Sequence, residues 1–291
     1  MAQIEEPLLE SAPLAWRLAP QLCRKDPATG ENCAWIHGFW QYLRLLGLAS
    51  TPSLHVKFFT DALTSRAGAR AVPKVLISGA ADYSMLALVI DAYRERNIRP
   101  NVTVVDQCET PLMLNRWFAE RVEFDITTHR CDIFEYTETR SFDAVCTHSF
   151  LSELPPGRWP TLLDKWRQLL RTGGAAITIN RLRPGGGSAP VGFTSEQAGA
   201  FRTTVLERAR SLPGATRTDP LELSHAAEIY VSRRRTYAVQ SREQILTLFE
   251  GAGFRVDSLS HGPVVTDVRR ELSGPTTPGS ADYARIVAIS L

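Results

Sequence analysis

The sequence predicts an α/β fold, a Rossmann-like and mostly parallel sheet under helices, with a helical cap at the N-terminus. Three observations carry this. From Val72 to about Leu182, short apolar runs alternate with helix-length amphipathic stretches, a pattern that requires crossover connections and buries parallel strands. The first run, KVLIS, passes through Gly79 directly into an amphipathic segment, giving the strand, tight turn and helix of a nucleotide-binding unit. Residues 1–70, by contrast, hold helix-like clusters with little β-branched content.

Taken in order, NCAWIHGFWQYLRLLGL and SLHVKFFTDALTSRAG, punctuated by DPATG and STPS, form the cap over 1–70. The remainder, 71–291, reads as one ligand-binding domain. It runs KVLISG, a helix over 84–96, NVTVVD, a helix over 111–122, EFDITTH, FDAVCTHS, a helix over 158–171 and AAITINRL. RPGGGSAPVG marks an exit from that core and opens a helical insertion over 185–240, through SEQAGAFRTTVLERARSL and ELSHAAEIYVSRRR. REQILTLFEGAGFRVDSLSH follows, and YARIVAISL suits a final strand. Thr110 and Pro111 have the chemistry of an N-cap and first helical position after the second strand.

Bulk properties narrow the function. The 33 basic and 31 acidic side chains nearly cancel, so no global field is available to hold a polyanion and nucleic acid is not an expected partner. The first residues are acidic where a signal peptide needs positive charge, and no apolar run is long enough to span a bilayer; the expectation is a cytoplasmic protein with no membrane partner. Five cysteines, Cys23, Cys33, Cys108, Cys131 and Cys146, contain no CxxC pair, so buried free thiols are expected and no metal site is.

In doubly wound sheets the ligand binds beyond the carboxyl ends of the strands. Gly79 allows a positive φ and close backbone approach, and Ala80 and Ala81 keep the turn open. NVTVVD ends in Asp106, 23 positions beyond Tyr83, near the separation at which such folds place a carboxylate on a ribose diol.

With these residues in place, 72–182 resembles the core of a class I S-adenosylmethionine-dependent methyltransferase. RCDIFEY puts Asp132 after the third strand, where the family uses an acid to accept from the adenine amino group; LLRTGGAAITI resembles its helix, Gly-Gly turn and fifth strand. SREQILTLFEGAGFRV resembles the late helix and turn before its closing antiparallel hairpin, so the last strand should be antiparallel. The resemblance implies S-adenosylmethionine as cofactor, S-adenosylhomocysteine as product, and a cofactor site of Ser78, Gly79, Ala80, Ala81, Asp82, Asp106, Gln107, Asp132, Ile133 and Thr147. It departs from the family at Ile77, where an acid is usual, and at Ala81 and Tyr83, where glycines are; Asp82 would supply the missing charge and Tyr83 would narrow the pocket.

His148, ending the fourth strand, is the candidate general base, since a neutral imidazole can take a proton from an oxygen, sulfur or nitrogen nucleophile. Packing against adenosine or binding substrate is an equal alternative, because many methyl transfers need positioning alone. ELPP is followed by Gly157 and there is no Pro-Cys pair, which disfavours nucleobase acceptors. A small-molecule substrate, as in secondary metabolism, is expected instead.

The acceptor pocket would use the cap and the 185–240 segment, with His37, Trp40, Tyr230 and Arg234 as candidates. Trp35, Phe39 and Tyr42 share helical spacing and read as a core face. Arg233, Arg234 and Arg235 cannot all point inward, so at most one clamps a substrate carboxylate or phosphate. The cap also offers a surface for a homodimer. A noncatalytic S-adenosylmethionine- or S-adenosylhomocysteine-binding or partner-binding protein would explain the altered glycine turn. A nicotinamide-dependent oxidoreductase would explain the first two strands, though not Asp132 or GAGF.

Overall fold

A computed structural model describes residues 5–25, 29–65, 72–212, 214, 216–263 and 282–291. The expected cap boundary at residue 70 and much of the DPATG turn lie outside the described residues. Seven strands form one sheet: β1 (Lys74–Ser78), β2 (Asn101–Asp106), β3 (Ile126–Arg130), β4 (Phe142–His148), β5 (Leu170–Leu182), β6 (Phe254–Pro263) and β7 (Asp282–Ser290). Their spatial order is β3-β2-β1-β4-β5-β7-β6. Only β7 is antiparallel to its neighbours, so the parallel core and antiparallel last strand stand as expected.

Alternation along each strand builds two cores. Val75 and Ile77 of β1 and Val102 and Val104 of β2 face helices α3 (Val56–Thr64), α4 (Ser84–Arg94) and α5 (Glu109–Arg121). Leu76 and Val105 face the opposite side, under α6 (Trp159–Leu169) and α9 (Arg242–Gly251). Burial on both faces is why these strands read as continuous apolar runs rather than as alternating ones. On the second side, the Trp166 indole donates 3.0 Å to the Ser78 hydroxyl, so a buried polar pair also fixes α6 to the end of β1.

A third core lies outside the sheet. Helices α1 (Leu8–Leu22) and α2 (Ala34–Leu45) pack with α7 (Ser195–Ser211) and α8 (Pro220–Arg233) around Phe39, Tyr42, Phe201, Leu223 and Tyr230. Helix α3 behaves differently from α1 and α2, because Phe59 and Leu63 enter the sheet core.

Two local readings shift. Helix α5 starts at Glu109 with Cys108 as its N-cap, two residues before the expected Thr110, because Asp106 Oδ1 accepts the Cys108 amide at 2.7 Å and closes the turn early. Strand β5 starts at Leu170 and runs through Gly173 and Gly174 instead of starting after them. At Gly174 a Cβ would lie 2.9 Å from the carbonyl oxygens of Arg171 and Phe142, so only glycine lets β5 pass so close to β4.

If α3 is part of the sheet core, Phe59→Ala should cost about 3–5 kcal/mol in urea unfolding. A loss below about 1 kcal/mol would instead make α3 a detachable lid.

Candidate active site at the carboxyl edge of the sheet

The strand order reverses between the parallel neighbours β1 and β4, and a cavity of about 240 Å³ opens there, beyond the strand ends. A second hollow, beneath Pro73 and Tyr93, measures about 10 Å³, room for a single water. Gly79 leaves β1 with φ +72°, and the Phe150 ring lies over it, 2.7 Å from where a Cβ would stand. The glycine is thus required both by its backbone angle and by this close approach.

Asp106 fixes the loop that follows. Its Oδ2 accepts from the Ala80 amide at 2.9 Å while Oδ1 holds Cys108, so one carboxylate joins the β1–α4 loop to the β2–α5 turn. Burial pushes its carboxyl up to about 6, and the two amide donors oppose that shift.

Asp82 lines the cavity but is already engaged. Its oxygens accept from the Trp40 indole at 2.8 Å and the Ser84 amide at 2.6 Å, and Arg44 lies 3.1 Å away. Tyr83 does not narrow the pocket. As the residue before α4 it turns inward, fully buried, stacks on Phe118 at 4.6 Å, and its hydroxyl meets Ser11 at 2.9 Å. Ile77, where the family has an acid, is a core residue of the sheet.

His148 ends β4 against the cavity. Burial lowers its imidazole to about 4, with Asp82 opposing, so it is neutral near pH 7. Its Nε2 is buried without a hydrogen-bond partner among the described residues. His55, 5.5 Å away between ring centroids and also held neutral by burial, backs it and packs on Tyr283. Ser149 follows in the left-handed region at φ 56°, a conformation that folds the chain back and carries Phe150 over Gly79.

The cavity gathers His37, Trp40, Gly79, Ala80, Ala81, Asp82, Asp106, His148 and Arg234 from the sequence candidates. Six others lie off its wall. Ser78 and Thr147 are buried in the strands, and Ile133 belongs to the core under α6. Gln107 and Asp132 pair with each other at 3.1 Å at the neighbouring strand ends. Tyr230 is fully buried among Phe39, Phe193 and Phe201, because α8 presents that face to α2 and α7 rather than to the sheet edge.

Among the cavity residues missed by sequence reasoning are Arg181 and Arg183, at the carboxyl end of β5. They continue the alternation of Ile177 and Ile179, which is the signal that could have found them. Arg183 donates to the Thr236 hydroxyl at 2.6 Å, and burial followed by the neighbouring Arg181 and Arg234 charges lowers it to about 10. Arg234 forks onto Glu153 at 2.7 and 2.5 Å; burial works against its charge and the carboxylate more than offsets that. Arg181 and Arg183 thus share this end of the cavity with the Arg234–Glu153 pair. Arg233 instead pairs with Glu31 on the surface, 3.2 Å away.

Of the five free thiols, Cys23, Cys108 and Cys146 are buried, and the packing groups three of them. Cys146 is buried within β4, but Cys23, Cys33 and Cys108 converge with His37 behind the cavity.

No protein-family model matches the sequence, and no curated protein does. Solved structures do share the fold. A geranyl diphosphate methyltransferase in complex with S-adenosylmethionine superposes with a TM-score of 0.52 at 12% identity, over 91% of this chain and 93% of its own. The 1,6-didemethyltoxoflavin-N1-methyltransferase of Burkholderia thailandensis, bound to its substrate and S-adenosylhomocysteine, does so with a TM-score of 0.50 at 16% identity, over 79% and 77%. With its strand order, its one antiparallel strand and its cavity at the β1/β4 reversal, this chain has the class I S-adenosylmethionine-dependent methyltransferase fold.

Proposed function

We propose that this cavity binds S-adenosylmethionine and serves methyl transfer to a small anionic acceptor, with S-adenosylhomocysteine as product. The observation that carries this reading is one cavity along the strand ends, reaching from Asp106 and the 79–82 loop, past His148 on β4, to Arg181, Arg183 and Arg234. The residues fit the cofactor. Gly79, Ala80 and Ala81 bring backbone rather than long side chains to the wall, and the Asp106 carboxylate keeps acceptor capacity beyond its two amide bonds, suited to a ribose diol. Asp132 and Gln107, next along the edge, would receive the adenine once the Gln107 amide leaves Asp132.

When bound, S-adenosylmethionine supplies an already activated methyl group. The chain's own task is then to orient the acceptor and take its proton. His148 is suited to the proton, being neutral with a buried unpartnered Nε2 at the cavity. The arginine end is suited to a carboxylate or phosphate, because a fixed, desolvated fork recognises such groups bidentately. His37 and Trp40 wall the side contributed by α2.

Calorimetric titration should give micromolar binding of S-adenosylmethionine and S-adenosylhomocysteine and none of NAD. Asp106→Ala should weaken both by at least about tenfold, the loss of charge-assisted hydrogen bonds of roughly 1.5–3 kcal/mol; NAD binding in their place would overturn the reading. Inorganic pyrophosphate should raise the melting temperature of the wild type and not that of Arg183→Met. An equal rise in both would remove the anionic acceptor.

The folded His148 value lies below the ordinary one, so between about pH 6.5 and 4 the unfolded chain binds more protons than the folded one. Its contribution is intact above that window and lost as pH falls through it. His148→Gln should therefore flatten the acid limb of stability against pH, and should lower kcat while leaving S-adenosylhomocysteine affinity unchanged. An unchanged kcat would reduce His148 to a packing residue.

A further inference from the structure

We propose that Cys23, Cys33, His37 and Cys108 form a structural zinc site that ties the N-terminal helices to the β2–α5 turn. The four ligand atoms lie within 4.8 Å of one another. Cys108 Sγ stands 3.5 Å from Cys23 Sγ and 3.6 Å from Cys33 Sγ, and His37 Nδ1 lies 3.6 Å from Cys23 Sγ. A tetrahedral zinc ion with ordinary zinc–sulfur and zinc–nitrogen bonds sets sulfur–sulfur edges of about 3.8 Å and sulfur–nitrogen edges of about 3.6 Å. The observed edges match those of a metal tetrahedron. Three thiols with one imidazole also form a donor set that selects zinc over harder cations.

Local structure delivers each ligand separately. Cys23 caps the C-terminus of α1, and the Lys25–Asn32 bridge folds the chain back so that Cys33 arrives as the N-cap of α2. His37 is one turn further on the same face of α2. Cys108 is the N-cap of α5, placed by the Asp106 turn. Two of the sulfurs thus sit at helix N-termini, where backbone N–H groups favour a thiolate. Thr110 Oγ1, 3.1 Å from Cys23 Sγ, is placed to donate to it, the outer contact expected of a ligating sulfur.

The set is also too large for the competing use of cysteines. A disulfide would take two of the three thiols at about 2.0 Å and leave the third beside His37 with no function. A metal uses all four groups. Its consequence is mechanical: Cys108 is two residues from Asp106, and His37 lines the cavity, so the site fixes the loop that the cavity depends on. This holds whatever ligand the cavity takes.

The test is metal analysis of the full chain, purified under reducing conditions without a histidine tag. Inductively coupled plasma mass spectrometry should find one zinc per chain, released on titration with a mercurial. Cobalt reconstitution should give thiolate charge-transfer bands with tetrahedral d–d absorption. Cys33→Ser and His37→Ala should each lower metal content at least tenfold, while Cys131→Ser leaves it unchanged. Wild-type protein with no zinc, no cobalt spectrum and three freely reactive thiols would overturn the proposal. So would a native mass lower by two hydrogens that shows a disulfide among Cys23, Cys33 and Cys108.

Discussion

The two hydrogen bonds from the Ala80 and Cys108 amides to the Asp106 carboxylate hold this cavity together. Burying a carboxylate is costly unless donors are fixed around it, and here both donors are backbone groups of the loops that must be aligned. One bond places the turn after β1, where a ligand's backbone contacts would be made. The other closes the turn after β2, starts α5 two residues early and delivers Cys108 to the cysteine cluster. The β1–α4 loop, the start of α5 and the position of Cys108 are therefore coupled through a single side chain.

Charge is divided along the same edge. At the first end the acids are held: Asp82 by Trp40, Ser84 and Arg44, and Asp106 by its amides. At the other end Arg183 donates to the Thr236 hydroxyl and Arg234 forks onto Glu153, with Arg181 beside them on the wall. Neutral His148 lies on the strand between the two.

The central strands were legible because they are buried on both faces, which writes them as apolar runs; KVLIS and NVTVVD became β1 and β2 over the same residues. Asp106 was legible for a similar reason, since a strand end followed by a short turn fixes where its carboxylate lies. Tyr83 was misread although α4 starts where expected, because its direction is set by tertiary contacts with Phe118 and Ser11 that the local pattern does not display. Arg181 and Arg183 were missed although the end of β5 at Leu182 was legible, because they were not followed as the continuation of Ile177 and Ile179 to the sheet edge. The cysteines were unreadable as a group: their spacing follows no short motif, and only the packing of α1, α2 and α5 brings them together. Among the described residues no helix is long and apolar enough to cross a membrane.

The most direct measurement is a crystal structure of the chain with S-adenosylhomocysteine. The expected result places the ribose hydroxyls on the Asp106 carboxylate and the sulfur toward His148, with the Ala80 and Cys108 amides still donating to Asp106. A nucleoside bound away from Asp106, or an Asp106 released from both amides when the site is filled, would contradict the account.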